Sequence, residues 1–176
     1  RIELTVSRIE SHLDRLGYQR DRRPGALGVL GVRSATPAGD AALASCTPTP
    51  DRYDDTILVF GRRAGGAAVL RLFLASVDPG AWWTAHPSPS RGCAHLLDGQ
   101  YRYRLGVHNL SKPAWRRSPA LVPEGQVKVW RDANRNAVRD GQDFVETGFY
   151  PINIHAGGTA PRVGRESAGC QILHGG

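Results

Sequence analysis

At 176 residues the chain is long enough to bury one core, and with 40% hydrophobic and 22% charged residues it reads as soluble and globular. No apolar run approaches the roughly 20 residues that cross a bilayer, which excludes insertion through a membrane-spanning helix. The formal net charge is +7, and the stretch Arg91 to Arg139, with ten basic and three acidic residues, carries as large an excess as the whole chain. Such charge suits nucleic acid, anionic lipid or an anionic wall polymer, or serves only as a solubilising surface. Nucleic acid is disfavoured, because no set of stacking aromatics or reading module is visible.

In chain order, the first residues, "RIELTVSRIESHL", alternate charged and apolar groups and do not form the apolar core of a secretory leader. Glu3 to Tyr18 predicts a helix, with Val6, Ile9, Leu13 and Leu16 on one face and Arg8, Glu10 and Asp14 on the other. Gly17 and Gly25 mark its stop and the following turn. Short strands follow at Leu27–Arg33, Thr56–Phe60 and Ala67–Ala75, bounded by glycine, proline or aspartate. Tyr101–Val107, Gln126–Arg131 and Pro151–His155 alternate apolar and polar residues, as half-buried strands do. Ser34–Tyr53 and His86–Gly92 read as loops. The expectation is a β-rich α+β protein: an N-terminal helix and connection over residues 1–25, then one compact unit over 26–176.

Cys46 and Cys93 both lie in or beside proline-rich loops. If they pair, the chain works in an oxidising compartment and Cys170 is the odd thiol; the sequence leaves that pairing open. A zinc site is not expected, because no two cysteines have the short spacing of such sites and the histidines are scattered. No cofactor is expected either. "DANRNAVRDGQD", Asp132 to Asp143, has oxygen side chains where a calcium loop has them. Ala137 and Asp143 replace the glycine and glutamate of such a loop, so a turn closed by Asx hydrogen bonds is the expected reading.

The chemistry is concentrated in "PINIHAGGTAPRVGRESAGCQIL", Pro151 to Leu173. Alternation places Ile152 and Ile154 on one strand face and Asn153 and His155 on the other, so His155 is expected on a polar face at a strand end. "AGG" permits a sharp turn, and Gly169 allows unusual dihedrals just before Cys170. "QIL" resumes a strand expected beside that of His155. An imidazole next to a thiol raises its thiolate fraction and can protonate a leaving amine. Backbone N–H groups at Gly169 and Cys170 are the natural oxyanion donors. The bland alternative is a small core cysteine and a satisfied polar histidine. His108, ending another alternating strand, is a candidate substrate contact or a surface residue. Trp82–Trp83 more often covers a core than binds sugar.

"IHAGG" and "SAGCQ" resemble the signature of L,D-transpeptidase (YkuD-like) catalytic domains, closest to a divergent branch of phage and bacterial wall-active proteins. Further matches run in order through "GVRS", "YDDTILVF", "ASVDPGAWW", "LDGQYRYRLGVHN", "PALV" and "VWRDANRNAVRDG". The resemblance implies a single catalytic domain and a cysteine that attacks a carbonyl in peptidoglycan stem peptides. An amine or water then resolves the thioester. It implies Cys170 as nucleophile, His155 as base, a carbonyl at Ala156 or Gly157 orienting the imidazole, and Ser167 and Gly169 as fixed small residues. Gln171 and His108 become substrate-contact candidates, and the expected location is periplasmic or extracellular. Ala168 stands where the common pattern has a second histidine, Gln171 follows the nucleophile where an apolar or basic residue is usual, and the spacing of His155 and Cys170 is short. The rival expectations are a non-catalytic wall-binding or phage structural module of the same fold, and a basic adaptor with an incidental thiol.

Overall fold

The computed structural model describes residues 1–88 and 90–175. It is α+β and β-rich, and it divides into two compact units: Arg1–Pro48 with Asp54–Ala75, and Thr49–Tyr53 with Ser76–Gly176.

In the first unit, strand β1 (Ile2–Glu3) leads into helix α1 (Val6–Arg15). Thr5 caps α1 by accepting the Arg8 N–H, and its buried stripe is Val6, Ile9 and Leu13. The expected fourth member, Leu16, is instead the exposed C-cap. The helix stops there because the Gly17 and Tyr18 amides bond back to Asp14 and Leu13, satisfying two terminal carbonyls. Strands β2 (Leu27–Val32), β5 (Asp55–Arg62) and β6 (Ala68–Ser76) pair antiparallel in that order. Ile9 and Leu13 of α1 pack on Leu58 and Phe60 of β5. The expected loop Ser34–Tyr53 also holds two short strands, β3 (Ala35–Pro37) and β4 (Ala42–Ser45), with β4 paired to β3 on one side and β1 on the other. Buried Ala35, Ala42 and Leu43 account for them, apolar residues that fit a closed pair although the surrounding composition reads as a turn.

The second unit begins with the short helix α2 (Ala81–Ala85). Strands β7 (Cys93–Leu96), β8 (Tyr103–His108), β9 (Ser118–Pro123), β10 (Val127–Asp132), β11 (Phe144–Gly148), β12 (Ile154–Ala156) and β13 (Gln171–Leu173) follow, with a 3-10 turn at Ala114–Arg116. β10 lies between β7 and β11, all antiparallel. Ala94, Val127, Val129 and Ile152 form a buried cluster there. Arg131, 5% exposed, is held by Glu146 Oε2 at 2.9 Å, and Glu146 also accepts the Tyr150 hydroxyl at 2.8 Å. The second run places β13 parallel to β12, then β9 and β8 antiparallel. This run carries the site.

The three cysteines are free thiols. Cys46 belongs to the first unit and donates to the Asp54 carbonyl; Cys93 belongs to the second and donates to the Ala168 carbonyl.

Candidate active site

Residues 157–170 connect two parallel neighbours, β12 and β13, and so bring His155 at one end close to Cys170 at the other. His155 is in register with Ile172 of β13 and with Ala120 of β9. Residues in register share a face, so the expected polar face is in fact buried: Ile172 is 0% and His155 7% exposed. The reason is visible one strand further on. Ala120 is also in register with Gly106 of β8, and His108 lies two residues beyond Gly106 on the same side. β8 and β12 flank β9 at about 5 Å each, and on this face β9 presents only small side chains, Ala120 in register with His155 and Ser118 in register with His108. The two imidazoles meet in that space, stacked with centroids 3.9 Å apart and planes 19° apart.

The Nδ1–H of His155 donates to the Ala156 carbonyl at 2.8 Å. Of the two carbonyls expected for this role, Ala156 therefore fills it, while Gly157 donates its own N–H to Leu173. That bond directs the Nε2 of His155 inward, where it is buried and has no hydrogen-bond partner among the described residues. Sγ of Cys170 and one nitrogen each of His155 and His108 all lie within 4.8 Å of one another. The thiol itself donates to the Pro151 carbonyl at 3.5 Å. His108 Nδ1 meets the Asn153 side-chain amide at 3.1 Å, and the Tyr103 hydroxyl donates to the Ile152 carbonyl at 2.9 Å beside the sulfur.

The turn before Cys170 is built by Ser167 and Gly169. Ser167 is fully buried, donates to the Cys170 carbonyl at 2.7 Å and accepts the Gly169 N–H at 3.1 Å. Gly169 therefore gives its amide to Ser167. At φ +133 it occupies a region that L-residues rarely adopt, and a Cβ there would sit 2.5 Å from the Ala94 carbonyl oxygen. Gln171 is 6% exposed and donates to the Val77 carbonyl at 3.2 Å.

Several residues that shape the site carry no recognisable sequence signal. The Glu166 carboxylate accepts the Tyr53 hydroxyl at 3.2 Å and the Gly158 amide, and its charge favours the protonated form of His155. Side chains at Gly157 or Gly158 would collide with it. Asp51 pins the same connection, accepting the Gly164 and Ala81 amides at 2.6 and 2.9 Å. Only the polar composition around residues 158–167 hinted at such contacts, and it did not identify partners a hundred residues away.

Electrostatics keep the resting site neutral. Burial pulls His155 below its ordinary pKa, opposed by the Ala156 carbonyl and by Glu166. Burial pushes the Cys170 thiol up, opposed by the Asn153 backbone. His108 is lowered to about 4, by burial first and then by His155. The pair therefore rests as thiol and imidazole.

Two other candidates are accounted for structurally. The ring of Trp82 has Arg165 over it at 4.2 Å and His86 stacked at 4.9 Å, so it already packs against side chains of this chain. In the Asp132–Asp143 loop, Asp132 accepts the Asn136 and Ala137 amides and Asp143 accepts those of Ala133 and Asp140. Compared with known proteins, the chain matches no family model, no curated protein and no solved structure.

Proposed function

We propose that this protein is a cysteine-dependent acyl-transfer enzyme acting on peptidoglycan stem peptides, in a periplasmic or extracellular setting. The observation that carries the chemistry is the meeting of Cys170 Sγ with an imidazole whose other nitrogen is fixed by the Ala156 carbonyl. The substrate class rests on the resemblance of "IHAGG" and "SAGCQ" to L,D-transpeptidases, and on the basic excess of residues 91–139, which suits an acidic wall polymer.

In the reaction, Cys170 Sγ attacks a peptide carbonyl while its proton passes to His155 Nε2. The tetrahedral oxyanion takes hydrogen bonds from nearby backbone N–H groups, with Cys170's own amide the natural first donor. The C–N bond breaks, the leaving amine takes the proton from His155, and a Cys170 thioester remains. An incoming amine (transpeptidation) or water (carboxypeptidase or endopeptidase action) attacks the thioester, gives its proton to His155, and the thiol is restored. Glu166, by favouring the protonated imidazole, supports the charged intermediate.

A second reading, a wall-binding module without turnover, is favoured by one observation: the resting thiol is 9% exposed and donates to Pro151 instead of His155. Incubation with a tetrapeptide muropeptide separates the two. The enzyme releases terminal D-alanine, and Cys170→Ala and His155→Ala abolish release with folding intact. Sacculus binding without release supports the module.

A further inference from the structure

Two of the six histidines that look scattered in sequence, His108 and His155, converge in the fold with the one cysteine of the "SAGC" turn. We infer that His108, His155 and Cys170 form a binding site for a single thiophilic divalent cation, Zn2+ above all. Three donors come from three strands or their ends, β8, β12 and the start of β13, with ligand atoms within 4.8 Å of one another. Zinc bonds of about 2.0–2.3 Å place tetrahedral donors roughly 3.5 Å apart, so the site closes by about an ångström on binding.

Two further observations point to a ligand. His155 is only 7% exposed, and its Nε2 has no hydrogen-bond partner among the described residues. Buried polar atoms are rarely left so, and an inward-facing imidazole nitrogen is a ready zinc donor. The outer nitrogens are also arranged as in metal sites, where the second ring nitrogen is held by a carbonyl or amide. Nδ1 of His155 is held by the Ala156 carbonyl, and Nδ1 of His108 by the Asn153 amide, which accepts in place of donating if it turns over. With the Asn153 amide turned over, both Nε2 atoms are left for a metal. The stacked rings have nearly parallel planes, so one must turn about its Cβ–Cγ bond to converge; His108, the less buried, is the one that moves.

Binding replaces the Cys170 S–H bond by an S–Zn bond and releases that proton to solvent. Two histidines and a thiolate leave the fourth position for water. The binding does not depend on the acyl-transfer reading. Its consequence does rest on that reading: the ion holds the sulfur and His155 Nε2 together, and so blocks the nucleophile reversibly.

Calorimetric titration of chelator-treated protein with ZnCl2 tests this, with Co2+ as a coloured substitute. The expected result is one Zn2+ per chain, about one proton released per ion, and a near-ultraviolet thiolate-to-cobalt band. Cys170→Ser and His155→Ala are expected to lose the stoichiometric site, and Asn153→Ala to weaken it about 10–100-fold. Zinc uptake by the wild type no greater than by Cys170→Ser overturns the inference, as does a cobalt spectrum without the thiolate band, which needs no variant. Acylation assayed in the chelator-treated protein keeps the questions apart. Acylation without zinc binding removes only the metal site; zinc binding without acylation removes only the enzyme.

Discussion

The imidazole of His108 lies face to face with that of His155 at 3.9 Å, reached across a strand that presents only the small side chains of Ala120 and Ser118 between them. Two stacked imidazoles this close cannot both be charged without repulsion in a partly desolvated setting. The arrangement keeps His108 neutral, and in the proposed reaction it leaves His155 to carry the proton.

That division has a measurable effect on stability. The folded pKa of His108 is lowered from 6.5 to about 4, so between those values the unfolded chain binds more protons. The stabilisation is therefore complete above pH 6.5 and is lost as pH falls toward 4. His155, shifted in the same direction, adds to the loss. Denaturant titrations across this window should show stability falling in the wild type and falling less in His108→Phe, which keeps an aromatic ring without a titratable group. Equal pH dependence in both proteins would show that the stack does not hold His108 neutral.

Glu166 favours the protonated form of His155. His155 must be neutral to accept the thiol proton, so the acid limb of the rate profile should lie below pH 6.5. Glu166→Gln should move it lower still, with the plateau reduced. Tyr53→Phe, which removes one hydrogen bond to that carboxylate, should cost about 1–2 kcal/mol of stability. An acid limb unmoved in Glu166→Gln would remove Glu166 from this role.

Gly169→Ala tests the turn that presents the sulfur. At φ +133, with the added methyl aimed at the Ala94 carbonyl, the substitution should cost about 1–3 kcal/mol from backbone strain alone and displace Cys170. Ser167→Ala removes the donor to Cys170 and the acceptor for Gly169 and should cost about 1–3 kcal/mol. Both should lower acylation more than overall folding, read by thermal melts beside turnover; turnover equal to wild type in Gly169→Ala would contradict this geometry.

Arg131→Ala addresses the fold away from the chemistry. Arg131 and Glu146 have side chains 6% and 13% exposed; without Arg131, Glu146 keeps the Arg91 guanidinium and the Tyr150 hydroxyl but loses its buried partner. A loss of about 1–3 kcal/mol in chemical denaturation is expected. A change below about 1 kcal/mol would show that water replaces the guanidinium without cost.

The parts of this picture legible in sequence are those set by local pattern. Val6, Ile9 and Leu13 at helical spacing identified α1, and "QIL" was expected beside the His155 strand, as β13 is. His155 and Cys170 stood out through their glycine neighbours. What was not legible depends on the crossover between β12 and β13 and on the order of β8, β9 and β12. Strand alternation put His155 on an open face, but a strand inside a sheet has two faces to cover, and here His108 covers the histidine's. Pro151 to Asn153 were read as strand, yet the ladder begins only at Ile154, because Asn153 and Ile152 bond back to Pro151 and Tyr150. Tyr53 and Glu166 are separated by 113 positions, and no local signal joins them.

The most direct measurement is the intact mass of the protein after brief exposure to a tetrapeptide-stem muropeptide, followed by peptide mapping. The account predicts a single acyl adduct, on Cys170, absent in Cys170→Ala and strongly reduced in His155→Ala. An adduct on Cys46 or Cys93, or product formed at an undiminished rate by Cys170→Ala, would contradict it.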